Sequence, residues 1–261
     1  MTPVALTIAG SDPSGGAGLQ ADLKTFHQHG VYGASVVTLL TVQNTQSVAA
    51  VETLDPRFIL AQLDAVLEDI RPQAAKTGAL GNAAIIAALS ERAASFDFPL
   101  VVDPVMVSKH GTPLIDDDAA GVLKKKLLPH AFLITPNLPE AAVLASMDVT
   151  DLGSMEQAAA RIAGAGAKNV LIKGGHRGVD ATDLLWSDGR AYPLPGKRIE
   201  TQHTHGTGCV LSAAITARLA TGEDLVTAVE AAKGFITRAI RTSPGLGRGY
   251  GPVNMHAPAD P

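Results

Sequence analysis

The sequence predicts an α/β protein of three layers, α/β/α, with helices on both faces of a doubly wound, mostly parallel sheet. Three observations carry that expectation. Short apolar runs alternate with segments of helical periodicity, at the spacing of right-handed βαβ units. Unusual polar residues fall directly after the apolar runs: Asp12, Gln43, Asn44, Asp103, Asn137 and Lys173. The carboxyl ends of parallel strands line one crevice, so these residues are expected to share a site. The third observation is the stretch THGTGCVLSAAITARLA at 204–220, whose Ala- and Leu-rich run reads as a helix buried on most sides.

Taken in order, residues 4–9 form a short apolar run ending at Gly10-Ser11-Asp12, the pattern of a buried strand. The loop SDPSGGAG leads into a helix over about 19–29, stopped by Gly30. Residues 34–42, ASVVTLLTV, read as a second strand ending at Gln43-Asn44. Asp55-Pro56 opens a helix in which Ile59, Leu60, Leu63, Val66, Leu67 and Ile70 recur at helical spacing, and Pro72 stops it. A strand at 74–76, a helix over 83–94 and a strand at 100–102 follow. The last enters Asp103-Pro104 and a polar loop through Ser108, Lys109, His110 and Gly111.

A helix over 118–128 precedes a strand at 132–134, and Lys124, Lys125 and Lys126 read as its solvated end. Helices over 140–145 and 155–164 precede a strand at 170–172. Asp188-Gly189 is a hairpin turn between 183–187 and 190–194. The buried helix follows, then another over 225–240, and the Gly- and Pro-rich tail from Ser243 reads as irregular or frayed. No linker divides the chain, so one domain over 1–261 is expected, with 244–261 as its irregular tail.

Composition excludes several function classes. A net charge of −4 and a pI near 6.0 leave no electrostatic footprint for nucleic acid or an anionic membrane. Aromatics at 4% are too sparse for a base-stacking platform. The opening MTPVALTIAG lacks a basic n-region and reads as a strand, and no apolar segment has the length of a membrane span. The single cysteine excludes an internal disulfide and a cysteine-based zinc site, and a cytoplasmic location is expected.

The chemistry concentrates at the start of the buried helix. Gly206, Thr207, Gly208 and Cys209 occupy its first turn, where backbone N–H groups lack intrahelical partners and the helix dipole adds positive charge. Glycine lets an anion approach that backbone, so the turn reads as an anion hole with a thiol at its lip. The bland alternative is a Gly-rich loop entering a core helix with a small buried cysteine. GxxxxGK[ST], a well-placed GxGxxG and HExxH are all absent. Phosphoryl transfer fits, because it needs positioning and charge neutralisation more than covalent chemistry. Asn137 and Glu140, three apart, suit a magnesium ion through oxygen or water, with Asp103 as a further carboxylate. Lys173 or Lys233 would neutralise phosphate oxygens.

Six ordered motifs, GSDPSGGAGLQADLKTF, VQNT, DPVMVSKHG, ITPNLPEA, LIKGGH and HTHGTGC, resemble the hydroxymethylpyrimidine/phosphomethylpyrimidine kinases of thiamine synthesis, within the ribokinase superfamily. The resemblance runs from about Val4 to Pro252 and implies a ribokinase-like fold. It also implies two successive transfers from ATP with Mg2+, first to a hydroxymethyl group and then to the resulting monophosphate. It places Asn137 and Glu140 in the metal-associated NxxE element and Gly206 to Gly208 in the anion hole. Gln43, the backbone near Gly10 and Ala17, and Asp22, Ala79 and Val105 would line the pyrimidine site. Asn137, Lys173 and Lys233 would face the nucleotide, and a homodimer is expected.

Two departures matter. KTGALG stands where many members read KIGMLG, so Ala79 replaces a larger side chain. Ser108 stands where thiol-type pyridoxal kinases carry a second cysteine, which favours the pyrimidine over pyridoxal. Cys209 admits two roles: a base with a pKa lowered by the helix N-terminus, or a group that only lines the hole. The rivals are a pyridoxine or pyridoxal kinase, a thiol hydrolase pairing Cys209 with His205, and a non-enzymatic pyrimidine sensor. No third orienting group is evident for the hydrolase.

Overall fold

The computed structural model describes residues 2–109, 111–116, 118–175 and 180–260. Its strands are β1 (Val4–Ser11), β2 (Tyr32–Gln43), β3 (Val48–Thr53), β4 (Ala74–Thr77), β5 (Leu100–Val102), β6 (Leu133–Ile134), β7 (Asn169–Ile172), β8 (Asp183–Ser187) and β9 (Arg190–Leu194). They form one nine-stranded sheet in the order β3-β2-β1-β4-β5-β6-β7-β8-β9. Neighbours from β2 through β7 pair in parallel, and β3, β8 and β9 join antiparallel. From central β1 the chain winds outward to β3, then crosses back to β4 and winds the other way. That reversal opens a crevice at the carboxyl ends of β1 and β4.

The helices are α1 (Gly18–Gln28), α2 (Pro56–Asp69), α3 (Ala83–Ala93), α4 (Ala119–Val122), α5 (Leu138–Ala145), α6 (Leu152–Gly164), α7 (Thr207–Ala220) and α8 (Leu225–Arg241). Strand residues alternate between two cores, as a period of two requires. Leu6, Ile8, Ala75, Val102, Ile134 and Val170 join Ile59, Ile85, Leu144 and Ile162 in a core under α2 to α6. Their neighbours Ala5, Ala74, Val101, Leu133 and Leu171 join Phe26, Val210, Ala214 and Phe235 under α1, α7 and α8. No helix among the described residues is long and apolar enough to cross a membrane.

Three elements differ from the sequence expectation. β3 was not anticipated, because it is an exposed edge strand whose apolar stretch, VAAV, is short. The helix at 118–128 is one α-turn followed by a π-turn at Leu123–Leu127 and a 3-10 turn at Leu128–His130. The wider turn keeps Leu123, Leu127 and Leu128 all buried. The tail is irregular but not frayed: Val253, Met255 and Ala257 are buried, and Arg238 donates to the carbonyls of Pro258 and Ala259 at 3.1 and 2.7 Å. The Asp188-Gly189 turn has φ of 50° and 73°, the left-handed pair a tight hairpin demands.

Candidate active site

α7 crosses the sheet beside α1 and α8, and most of its residues from Val210 onward are buried, so its first turn is held rigidly at the crevice. Gly206 caps it with φ 79°, and a Cβ there would strike the carbonyl of Gly16. Only glycine lets the two loops meet at this point. Val210 N–H makes the first intrahelical bond, to Gly206 O at 2.9 Å, while Thr207 N–H and Oγ1 both turn back to Thr204 O. The N–H groups of Gly208 and Cys209 precede any intrahelical acceptor and remain available to an anion.

A charged cluster stands against this turn. A Cβ on Gly208 would lie 3.2 Å from Lys173 Nζ and 3.7 Å from Asp103 Oδ2. Lys173 donates to Asp103 Oδ1 at 3.0 Å, and the Thr135 hydroxyl donates to the same oxygen at 3.3 Å. Burial works against the Asp103 charge, but Lys173 and Lys76 outweigh it and hold the carboxyl below its ordinary range. Lys173 stays protonated for the converse reason: Asp103 and Glu140 outweigh its burial. Asn137 and Glu140 form a capping box on α5, Asn137 N–H donating to Glu140 Oε2 at 2.8 Å and Glu140 N–H to Asn137 Oδ1 at 2.9 Å. Burial, with Asp103 adding to it, lifts the Glu140 carboxyl to about 7.

Cys209 does not have the lowered pKa one reading expected. Burial pushes its thiol up to about 11, and the nearby Lys76 offsets only part of that, with Asp22 and Asp103 adding to the rise. Lys76 was missed in the sequence. It lies on β4 with no exposure and donates to Asp22 Oδ1 at 2.8 Å, while Thr7 Oγ1 donates to Asp22 Oδ2 at 2.6 Å. Burial would discharge this lysine, but the Asp22 and Asp103 carboxylates keep it protonated. The one signal available was a lysine inside the otherwise buried strand AAKT. Asp22, itself without exposure, is thus held in an ion pair beside Cys209.

The other predicted substrate residues stand at adjoining strand ends. Gly10 is packed on Leu39, Thr38 Oγ1 donates to Ala79 O at 2.6 Å, and Val105 N–H donates to Asp103 O at 2.9 Å. Asp12 Oδ2 accepts from Ala17 N–H at 2.9 Å and lies 2.7 Å from His205 Nε2; Gln43 Nε2 is 3.2 Å from the same nitrogen. Lys233 donates to Asp183 Oδ2 at 2.6 Å and Ala181 O at 2.9 Å, and Asp183 Oδ1 accepts from the N–H of Gly174, next to Lys173, at 2.8 Å. His205 Nε2 is engaged by Asp12 at 2.7 Å and not by Cys209. His110 of the polar loop and His176 of LIKGGH lie outside the described residues.

The phosphomethylpyrimidine kinase family profile matches residues 12–254. The chain is 48% identical over 258 residues to a hydroxymethylpyrimidine/phosphomethylpyrimidine kinase of Haemophilus influenzae, covering 97% of this chain and 96% of that one. It is 47% identical to a thiamine biosynthesis bifunctional protein of Geobacter sulfurreducens, over 95% of this chain and 51% of the relative. Among solved structures, an ADP complex of Bacillus subtilis pyridoxal kinase superposes with a TM-score of 0.90 at 39% identity, over 98% of both chains.

Proposed function

The chain belongs to the phosphomethylpyrimidine kinase family, and we infer from that membership how its crevice carries out the family's reaction. It is an ATP-dependent hydroxymethylpyrimidine/phosphomethylpyrimidine kinase that serves thiamine biosynthesis. In the first transfer the substrate's hydroxymethyl oxygen bonds to the γ-phosphorus of ATP, the bond to the bridging oxygen breaks, and ADP leaves. In the second, a phosphate oxygen of the monophosphate attacks a new ATP in the same way and forms an anhydride. Such transfers demand positioning and charge stabilisation above all.

The observation that carries the residue assignment is the 3.2 Å approach of Lys173 Nζ to the Cβ position of Gly208. It brings an ammonium and the free N–H groups of Gly208 and Cys209 to one point, where the equatorial oxygens of the transferring group would sit. Cys209, held protonated, lines this hole. Asp103, held ionised beside it, accepts the hydroxyl proton of the first substrate. Gln43, with Ala17, Ala79, Val105 and the backbone of Gly10, forms the pyrimidine wall, and Asn137 with Lys173 forms the nucleotide side.

Magnesium fits the same cluster. Asp22, Asp103 and Glu140 outnumber the two ammonium groups among which they stand, Lys76 and Lys173, an excess of carboxylate that a divalent cation relieves. Among the described residues no three His, Cys, Asp or Glu side chains form a metal cage. Magnesium needs only one or two carboxylates when phosphates supply its other ligands. When bound it neutralises phosphate charge. A homodimer through the β2–β3 edge is supported by Leu40 and Val42, which are 48% and 63% exposed. The lone cysteine supports a cytoplasmic location.

Pyridoxal is the second reading, favoured by the likeness to the B. subtilis enzyme. The test incubates the protein with ATP, magnesium and each alcohol separately and follows the products by mass. Mono- and diphosphorylated pyrimidine with stoichiometric ADP is expected. Preferential turnover of pyridoxal would reverse the assignment.

A further inference from the structure

Asp12 and His205 stand 193 positions apart in sequence and meet in the wall of the crevice, each only 3% exposed. Asp12 Oδ1 accepts from Ser14 N–H at 2.9 Å and Ser14 Oγ at 2.7 Å; Oδ2 accepts from Ala17 N–H at 2.9 Å. A carboxylate collecting that many donors is ionised, since its protonated form would lose acceptor capacity. The 2.7 Å contact to His205 Nε2 therefore carries the imidazole's proton, pointed at Asp12.

Gln43 lies between two neighbours whose protons are already assigned. Thr41 Oγ1 has one proton and donates it to Ser11 O at 2.9 Å, so towards Gln43, at 3.4 Å, it can only accept. On the other side Gln43 Nε2 is 3.2 Å from His205 Nε2, which would set one N–H against another. A half-turn of the isosteric amide resolves both conflicts. Its carbonyl then shares the His205 N–H, and one of its own N–H groups meets Thr41.

We propose that Asp12 and His205 are positioning residues that set the direction of the Gln43 amide, and so select a ring whose edge presents a matching donor and acceptor. The ligand class is an aminopyrimidine, with an amino group beside a ring nitrogen, in preference to a hydroxypyridine. The inference rests on Gln43 facing the pyrimidine. Asp12→Asn is the informative variant. Its amide N–H donates to Nε2, drives the imidazole proton to Nδ1 and turns Gln43 the wrong way for the substrate.

Steady-state kinetics of Asp12→Asn, Gln43→Leu and the double variant, with ATP, magnesium and hydroxymethylpyrimidine, test this, alongside 15N spectra of the histidines. Asp12→Asn is expected to raise the pyrimidine KM about tenfold, with kcat and the ATP KM within about threefold of the parent. In the Gln43→Leu background the same change should add less than about twofold, because the pair acts through that side chain. The His205 signal should report Nε2–H in the parent and Nδ1–H in Asp12→Asn. Should the loop fold poorly in Asp12→Asn, His205→Gln, which restores a donor to Asp12, is expected to recover most of the affinity lost in His205→Leu.

Additive KM effects, a kcat loss at unchanged KM, an Nδ1–H tautomer in the parent, or His205→Gln no better than His205→Leu would each overturn the inference. An unchanged KM in Gln43→Leu alone would remove the pyrimidine wall itself, and the inference with it. That result differs from the others in being independent of Asp12.

Discussion

Lys173 Nζ sits 3.0 Å from Asp103 Oδ1 and 3.2 Å from where a side chain on Gly208 would begin. The ammonium is thus anchored by a carboxylate on one side and faces the first turn of α7 on the other. An anion entering that turn meets a charge already in place, with no reorganisation needed when bonds change.

A side chain at Gly208 should therefore displace the lysine and cover the free N–H groups. Gly208→Val is expected to lose about 10²–10³ in turnover, the cost of removing one such donor, while α7 remains folded because its packing begins at Val210. Turnover within about twofold of the parent, at unchanged circular dichroism, would remove the anion hole from its assigned place.

Glu140 sets a pH dependence whose sign is fixed by its raised carboxyl. Its folded pKa, about 7, lies above the ordinary carboxyl range, so the native state holds an extra proton between them. The associated stability is present at low pH and is lost as pH rises through about 7. Glu140→Gln keeps an acceptor for Asn137 N–H and has no charge to bury. It should melt at least about 3 °C above the parent at pH 8 and match it near pH 4. Its activity at low magnesium should fall, and melting curves with a magnesium titration check both halves.

The Asp22–Lys76 pair is fully buried, so removing one partner strands the other's charge. Lys76→Met is expected to cost about 3–5 kcal/mol in denaturant unfolding, and Lys76→Met with Asp22→Leu much less. A double-variant loss equal to the sum of the losses in Lys76→Met and Asp22→Leu would show that the pair is not electrostatically coupled.

Cys209 should behave as a protonated thiol. Its alkylation rate is expected to stay low at pH 7.5 and to climb only towards its pKa of about 11. Cys209→Ala should then lose less than the roughly 10²–10⁴ expected of a general base, with the pH profile of kcat unchanged. A rate break in alkylation near neutrality would restore the base role.

Sequence patterns alone determined the elements whose causes are local. The apolar runs marked the inner strands and α7, and Asp188-Gly189 marked the hairpin, whereas the capping box of Asn137 and Glu140 went unread. Each depends on periodicity or on the backbone needs of a few consecutive residues. The polar residues trailing the strands also announced where a site would form. β3 escaped because its four-residue apolar stretch is short and lies at an exposed edge, and the π-turn because its cause is the packing of Leu123, Leu127 and Leu128 together.

The tertiary structure decided everything that depends on a distant partner. Asp22 meets Lys76 across 54 positions, Asp103 meets Lys173 across 70, and Asp12 meets His205 across 193. Those meetings closed Asp22 into an ion pair, engaged Lys233 with Asp183, and tied His205 into the crevice wall. Cys209 shows the physical reason most plainly. Its place at a helix N-terminus argues for a thiolate, yet burial outweighs the neighbouring Lys76 and raises the thiol to about 11. Burial is a property of the packed chain, and no local pattern encodes it.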